Sequence, residues 1–304
     1  MDLERVDPSL RDATRRVPVL DLEGRHRLRL IATLSRLAPG KRIAGVDRRI
    51  VRRGPVRVRV HTPPAPTGAG LLWVHGGGLV LGSAAMDDRM SAETAVATGA
   101  VVVSVDYRLA PKHPFPVPLD DCAAAFAWMR AESDSLGIDT GRIAVGGQSA
   151  GGGLAAALVQ RLIDEGVPLA AQWLFCPMLD DRTAADRTRD AEAHFVWNNR
   201  SNLVGWRSYL GDRVGADELP AYAVPARRAD LSGLPPTWMY ASDIELFYAE
   251  DRAYAEALRA AGVDVTFDTV PGAPHGFETW ARDSRLARGV LSRGRDWLRE
   301  RLTA

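Results

Sequence analysis

The hydrophobic period of the chain changes twice, and each change marks a different kind of element. Residues 1–45 carry apolar side chains at helical spacing, most clearly Leu28, Leu30, Ile31, Leu34 and Leu37 ahead of Pro39-Gly40, which predicts amphipathic helices and a stop. From Arg48 the period falls to two: Arg49-Ile50-Val51-Arg52 and Val56-Arg57-Val58-Arg59-Val60 alternate as half-exposed antiparallel strands do, with Gly54-Pro55 as the turn. Past a Pro- and Gly-rich linker at 62–70, the runs Leu71-Leu72-Trp73-Val74 and Ala100-Val101-Val102-Val103-Ser104-Val105 are apolar almost throughout, as strands buried on both faces of a parallel sheet are. Strands are also predicted at Ile143-Ala144-Val145, Trp173-Leu174-Phe175, Thr237-Trp238-Met239-Tyr240 and 265–270, and helices at 117–132, 150–165, 247–262 and 284–302. Strands alternating with helices predict an α/β fold with a doubly wound sheet.

The alternation breaks once. Between Cys176-Pro177 and Pro235-Pro236 lies a long segment with Trp197, Trp206 and Tyr209 and no clear strand. Connections of this length in a compact domain are usually functional. The aromatics predict an apolar helical insertion over a site.

Composition narrows the function without naming it. The chain of 304 residues is 46% hydrophobic, enough for one large domain with an insertion. A net charge of +1 with both signs dispersed provides no polybasic footprint, so nucleic acid is not expected as a partner. Cys122 and Cys176 are the two cysteines, both in apolar surroundings, and read as buried thiols of a reducing compartment. The charged start at Met1-Asp2-Leu3-Glu4-Arg5 has no apolar signal region, and no run reaches the ~18 apolar residues of a membrane span. A cytoplasmic protein without membrane insertion is the expectation.

The chemistry enters at Gly147-Gln148-Ser149-Ala150-Gly151, between an apolar strand and a helix of small residues. A serine on so sharp a strand-to-helix turn needs glycines on either side to avoid clashes, and the helix directs its positive end at the serine. Such a nucleophile requires a base, a group that orients the base, and donors for an oxyanion. His75-Gly76-Gly77-Gly78, directly after a buried strand, is the candidate donor loop, joined by the N–H of Ala150. Where a serine sits on an elbow of this kind, the acid and then the histidine follow it in the chain. His26, His61, His75 and His113 precede Ser149 and His194 lies in the insertion, which leaves His275 as the base. The loop after Tyr240 contains two acids, Asp243 and Glu245, and spacing alone does not choose between them.

Together these motifs make the chain resemble the bacterial hormone-sensitive-lipase-like esterases of the α/β-hydrolase fold. The resemblance runs from about Pro64 onward through His75 to Gly82, Asp106-Tyr107-Arg108-Leu109-Ala110-Pro111, His113-Pro114-Phe115-Pro116, Gly147 to Gly152, Pro177 to Asp181, and Pro271 to Phe277. It implies a serine carboxylesterase acting on short-to-medium acyl esters through an acyl-enzyme, with Ser149, Glu245 and His275 catalytic and Gly77, Gly78 and Ala150 as oxyanion donors. It further implies no cofactor and no metal, a homodimer through the sheet edge, and a mostly parallel sheet with antiparallel N-terminal strands. The implied organisation is cap helices at 1–45, core at 46–182, a cap insertion at 183–216 and core again at 217–304. Two positions depart from the pattern: Gln148 stands where similar sequences commonly carry Asp, and Glu245 fills the acid slot usually held by Asp. Asp106, Tyr107 and Arg108 are expected to brace the glycine loop through charge-assisted hydrogen bonds. The competing readings are a non-catalytic small-molecule receptor on the same fold, and an amidase or lactonase with the same triad.

Overall fold

The computed structural model describes residues 2–18, 22–37, 39–54 and 56–303, so the expected turn residue Pro55 lies outside the described residues. Its centre is an 8-stranded sheet built from β1 (Asp47–Arg53), β2 (Val56–Thr62), β3 (Gly70–Val74), β4 (Val101–Val105), β5 (Ile143–Gln148), β6 (Ala171–Phe175), β7 (Thr237–Ser242) and β8 (Val265–Val270). The order is β1-β2-β4-β3-β5-β6-β7-β8; β2 runs antiparallel to β1 and β4, and all later pairings are parallel. β3, β4, β5, β6 and β7 are buried at every position, which is why their sequences are apolar runs rather than alternations.

The helices are α1 (Arg11–Arg16), α2 (Arg25–Leu37), α3 (Asp88–Thr98), α4 (Val117–Ala131), α5 (Ser133–Leu136), α6 (Ala150–Asp164), α7 (Asp181–Ala185), α8 (Asn199–Leu210), α9 (Tyr248–Ala260), α10 (Phe277–Trp280) and α11 (Arg285–Thr303). They cover the sheet on both faces. Leu72 and Val74 of β3 join a core with residues of α4, α6 and α9, whereas Leu71 and Trp73 join one with residues of α3 and α11. The second core is aromatic: Trp73, Trp173, Phe175 and Trp238 stack edge to face or tilted, with centroids 4.5 Å apart for Trp173 and Phe175. Each ring buried this way contributes about 1.5–3 kcal/mol over its exposed state. α11 approaches so closely that a Cβ on Gly294 would lie 2.9 Å from the Trp238 ring.

Two elements differ from the sequence expectation. α3, the crossover between the parallel strands β3 and β4, has almost no amphipathic signal because one side faces the sheet and another the α11 helix. In α2 the inward side is Leu28, Ile31 and Ala32, while Leu30, Leu34 and Leu37 are 61%, 58% and 72% exposed. Helical spacing located the helix but not the side it buries, since both stripes are apolar. Among the described residues, no helix is long and apolar enough to cross a membrane. Both cysteines are free and buried.

Candidate active site

Ser149 sits between the end of β5 and the start of α6 with φ 53° and ψ −124°. An L-residue there costs about 1–3 kcal/mol and persists only when its surroundings impose it. Here the Ser149 N–H donates to the Phe175 carbonyl at 2.8 Å, and its own carbonyl accepts from Met178 at 2.9 Å and Gly153 at 3.0 Å. The flanking glycines are required by contact. A Cβ on Gly147 would lie 2.3 Å from the Gly151 carbonyl oxygen, and one on Gly151 would lie 2.2 Å and 2.3 Å from the carbonyl oxygens of Val74 and His75. Gly151→Ala is therefore expected to destabilise the protein by about 1–3 kcal/mol or prevent folding, read as a lower urea midpoint at unchanged slope. An unaltered midpoint contradicts the contact argument.

The glycine loop leaves β3 at His75. Gly77 and Gly78 have φ of 120° and 59°, and a Cβ on them would meet the Leu81 carbonyl at 2.2 Å and the Trp197 ring at 2.1 Å. The loop closes on itself through Val80 and Leu81 N–H groups donating to the Gly77 carbonyl. Among the described residues no acceptor is paired with the N–H of Gly77 or Gly78. Ala150 opens α6, so its N–H has no acceptor within the helix.

Bracing comes from Tyr107, whose hydroxyl donates to the His75 carbonyl at 3.0 Å and whose ring stacks on His75 at 4.2 Å. Burial lowers the His75 pKa and keeps the imidazole neutral. Asp106 accepts from Ala84 N–H at 3.3 Å, just beyond the loop. Arg108, expected to hold the loop, instead forks onto the Asp121 carboxylate of α4 at 2.7–3.2 Å. That pair is bidentate and half-covered, a geometry the glycine loop has no carboxylate to match.

His275 stands on the loop between β8 and α10. Its Nε2 is 2.9 Å from Ser149 Oγ, and its Nδ1 hydrogen-bonds to Glu245 Oε2. The other oxygen of Glu245 accepts from the Ser242 N–H at 3.0 Å. Phe247 packs edge-on to the imidazole, and the Trp280 indole N–H donates to the His275 carbonyl at 3.1 Å. All three side chains are buried, so hydrogen bonds among them act in a low-dielectric setting. Asp243, the other candidate acid, is exposed and accepts from the Gly272 N–H at 2.8 Å, tying the two loops together. Of the remaining histidines, His61 lies 3.2 Å from Asp88 and His194 lies 3.3 Å from Glu192.

The insertion reaches this centre. The Trp197 indole lies on Gly78, and a Cβ on Gly205 of α8 would be 2.6 Å from the Gly78 carbonyl oxygen. Val196, just before Trp197, has φ 69°, unusual for a β-branched residue. The loop after β6 is held to α9 by Glu250, which accepts from Leu179 N–H at 2.7 Å and Asp180 N–H at 3.2 Å and whose pKa burial raises to about 8.

A potential metal set exists only on paper. Cys176, Glu245 and His275 offer atoms within 4.8 Å of one another. Glu245 and His275 already bond each other, and burial holds the Cys176 thiol well above its usual range, so no thiolate is on offer near neutral pH. Sequence reasoning named the serine, both acids, the histidine and the glycine loop. It missed Glu278, a buried acid beside this centre, because no motif spacing marks it.

Known proteins share both sequence and geometry. The family model for the alpha/beta hydrolase fold matches residues 71–279. The carboxylesterase NlhH of Mycobacterium tuberculosis is 35% identical over 290 residues, covering 92% of this chain and 89% of that protein. The esterase LipI of the same organism is 34% identical over 250 residues, covering 79% and 77%. Among solved structures, a bacterial heroin esterase superposes with a TM-score of 0.89 at 34% identity over 99% of both chains, and the esterase LipW from Mycobacterium marinum with 0.84 at 32% identity over 99% and 98%. With the sheet order, the serine elbow and these matches in agreement, the chain belongs to the α/β-hydrolase fold family.

Proposed function

We propose that the protein is a serine carboxylesterase hydrolysing short-to-medium acyl esters through an acyl-enzyme. The observation that carries this reading is the continuous hydrogen-bonded line from Ser149 Oγ through His275 to Glu245. Ser149 Oγ attacks the ester carbonyl while His275 Nε2 takes its proton, and Glu245 holds the imidazole in the required tautomer and stabilises the imidazolium. The oxyanion is received by the N–H groups of Gly77, Gly78 and Ala150, each worth about 3 kcal/mol to the transition state. Collapse of the intermediate breaks the bond between the acyl carbon and the alcohol oxygen, and the alcohol leaves with the proton from His275. Water, deprotonated by His275, then attacks the acyl-enzyme, and the acid is released with Ser149 reprotonated.

The segment 183–216, with the helices of 1–45, acts in this reading as a cap. Contact of Trp197 and Gly205 with Gly78 supports it, because that contact places an aromatic wall against the proposed oxyanion loop. A close wall limits acyl length. Across p-nitrophenyl esters from acetate to dodecanoate, kcat/KM is expected to be highest at the short end and to fall with length. A preference for long, insoluble triglycerides overturns the short-acyl assignment.

A further inference from the structure

Gln148, the residue before the nucleophile, directs its amide nitrogen toward the residues that follow His275. Its Nε2 donates to Glu278 Oε1 at 2.5 Å, and a Cβ on Gly276, the residue after His275, would be 3.3 Å from the same nitrogen. The second oxygen of Glu278 accepts from the Tyr240 hydroxyl, which also lies 3.4 Å from the Cys176 sulfur. Glu278, Tyr240 and Gln148 are all buried. One donor on each carboxyl oxygen is the coordination an ionised carboxylate takes. A carboxylate at 148 would face Glu278 as a like charge, whereas the amide of Gln148 donates to it.

We infer that Glu278 is a positioning residue, a second buried carboxylate that holds the histidine loop against the nucleophile elbow through Gln148 and stabilises the His275 imidazolium. The inference rests on His275 being the base in the reading above. The titratable groups around Glu278 are His275 on its own loop, Tyr240 of β7, Cys176 after β6 and Glu245 after β7. Burial keeps Cys176 and Tyr240 protonated, their pKa values pushed well above the ordinary ones, which leaves Glu245 and Glu278 as the acids able to carry negative charge near His275. Burial raises the Glu278 pKa above the usual carboxylate value, and the donated bonds of Tyr240 and Gln148 with the nearby His275 offset part of that rise.

The sign of the pH effect follows. An anion near an imidazole favours its protonated form, so removing the anion lowers the histidine pKa. Glu278→Gln is expected to move the acid limb of kcat/KM to lower pH by about one unit and to lower kcat roughly tenfold at its plateau, with KM unchanged. Tyr240→Phe, which removes one donor from Glu278, moves the limb in the same direction by less. The His275 ring-proton titration by NMR reads the same shift without turnover, so absence of ester hydrolysis by the parent protein overturns the esterase reading and leaves this inference to the NMR result. A folded Glu278→Gln variant with an unmoved limb and unmoved titration overturns the inference. Should Glu278→Gln fail to fold, an unmoved titration in Tyr240→Phe overturns it equally.

Discussion

Ser149→Ala is expected to lower kcat for a short p-nitrophenyl ester by a factor on the order of 10⁴ or more, with the far-UV circular dichroism and thermal midpoint unchanged. The loss is large because the serine supplies the bond-forming atom, and no neighbouring group is placed to replace it. Rate above water that survives in the variant measures the proposed oxyanion donors together with substrate binding. The fold is expected to survive because the elbow is held by main-chain bonds to Phe175, Met178 and Gly153, none of which uses the hydroxyl. A fluorophosphonate should label the parent chain at Ser149 and leave the variant unlabelled. Full activity in the variant sinks the serine mechanism, and failure of the parent to react with the probe favours a receptor on the same scaffold.

Glu245→Gln is expected to reduce kcat by roughly 10³–10⁴, because an amide facing Nδ1 can hold the imidazole in the wrong tautomer. Asp243→Asn should stay within a few-fold of the parent, since Asp243 is exposed and bonds a backbone N–H rather than the imidazole. Its cost belongs to stability, about 1 kcal/mol for one partly exposed charge-assisted hydrogen bond. A large loss of kcat confined to Asp243→Asn reverses the assignment of the acid.

The two acids show how far the chain could be read. Both sit in the loop after β7, both are followed within a few residues by α9, and resemblance favoured Glu245 by its slot. What separates them is the direction in which the turn projects each side chain: Glu245 inward to His275 and Ser242 N–H, Asp243 outward to Gly272 N–H. Direction of this kind depends on a few backbone angles that residue identity does not specify. Arg108 failed as a brace for the same reason, because its partner Asp121 is thirteen residues away on α4. α2 was located by the spacing of Leu28, Leu30, Ile31, Leu34 and Leu37, yet of these only Leu28 and Ile31 turn inward.

Local chemistry in the sequence was sufficient for the strands, the serine elbow and the glycine loop. Apolar runs can be buried on both faces only inside a sheet, and Gly147, Gly151, Gly77 and Gly78 are fixed by steric demands within a few residues of themselves or by one close neighbour. The meeting of Ser149 with His275 and Glu245, across 126 and 30 residues of chain, was anticipated only as an order along the sequence. Resemblance singled out Glu245, and tertiary structure alone added Glu278. Glu278 reaches the centre because β5, β7 and α10 converge there, and long-range convergence leaves no periodic trace in the residues that it brings together.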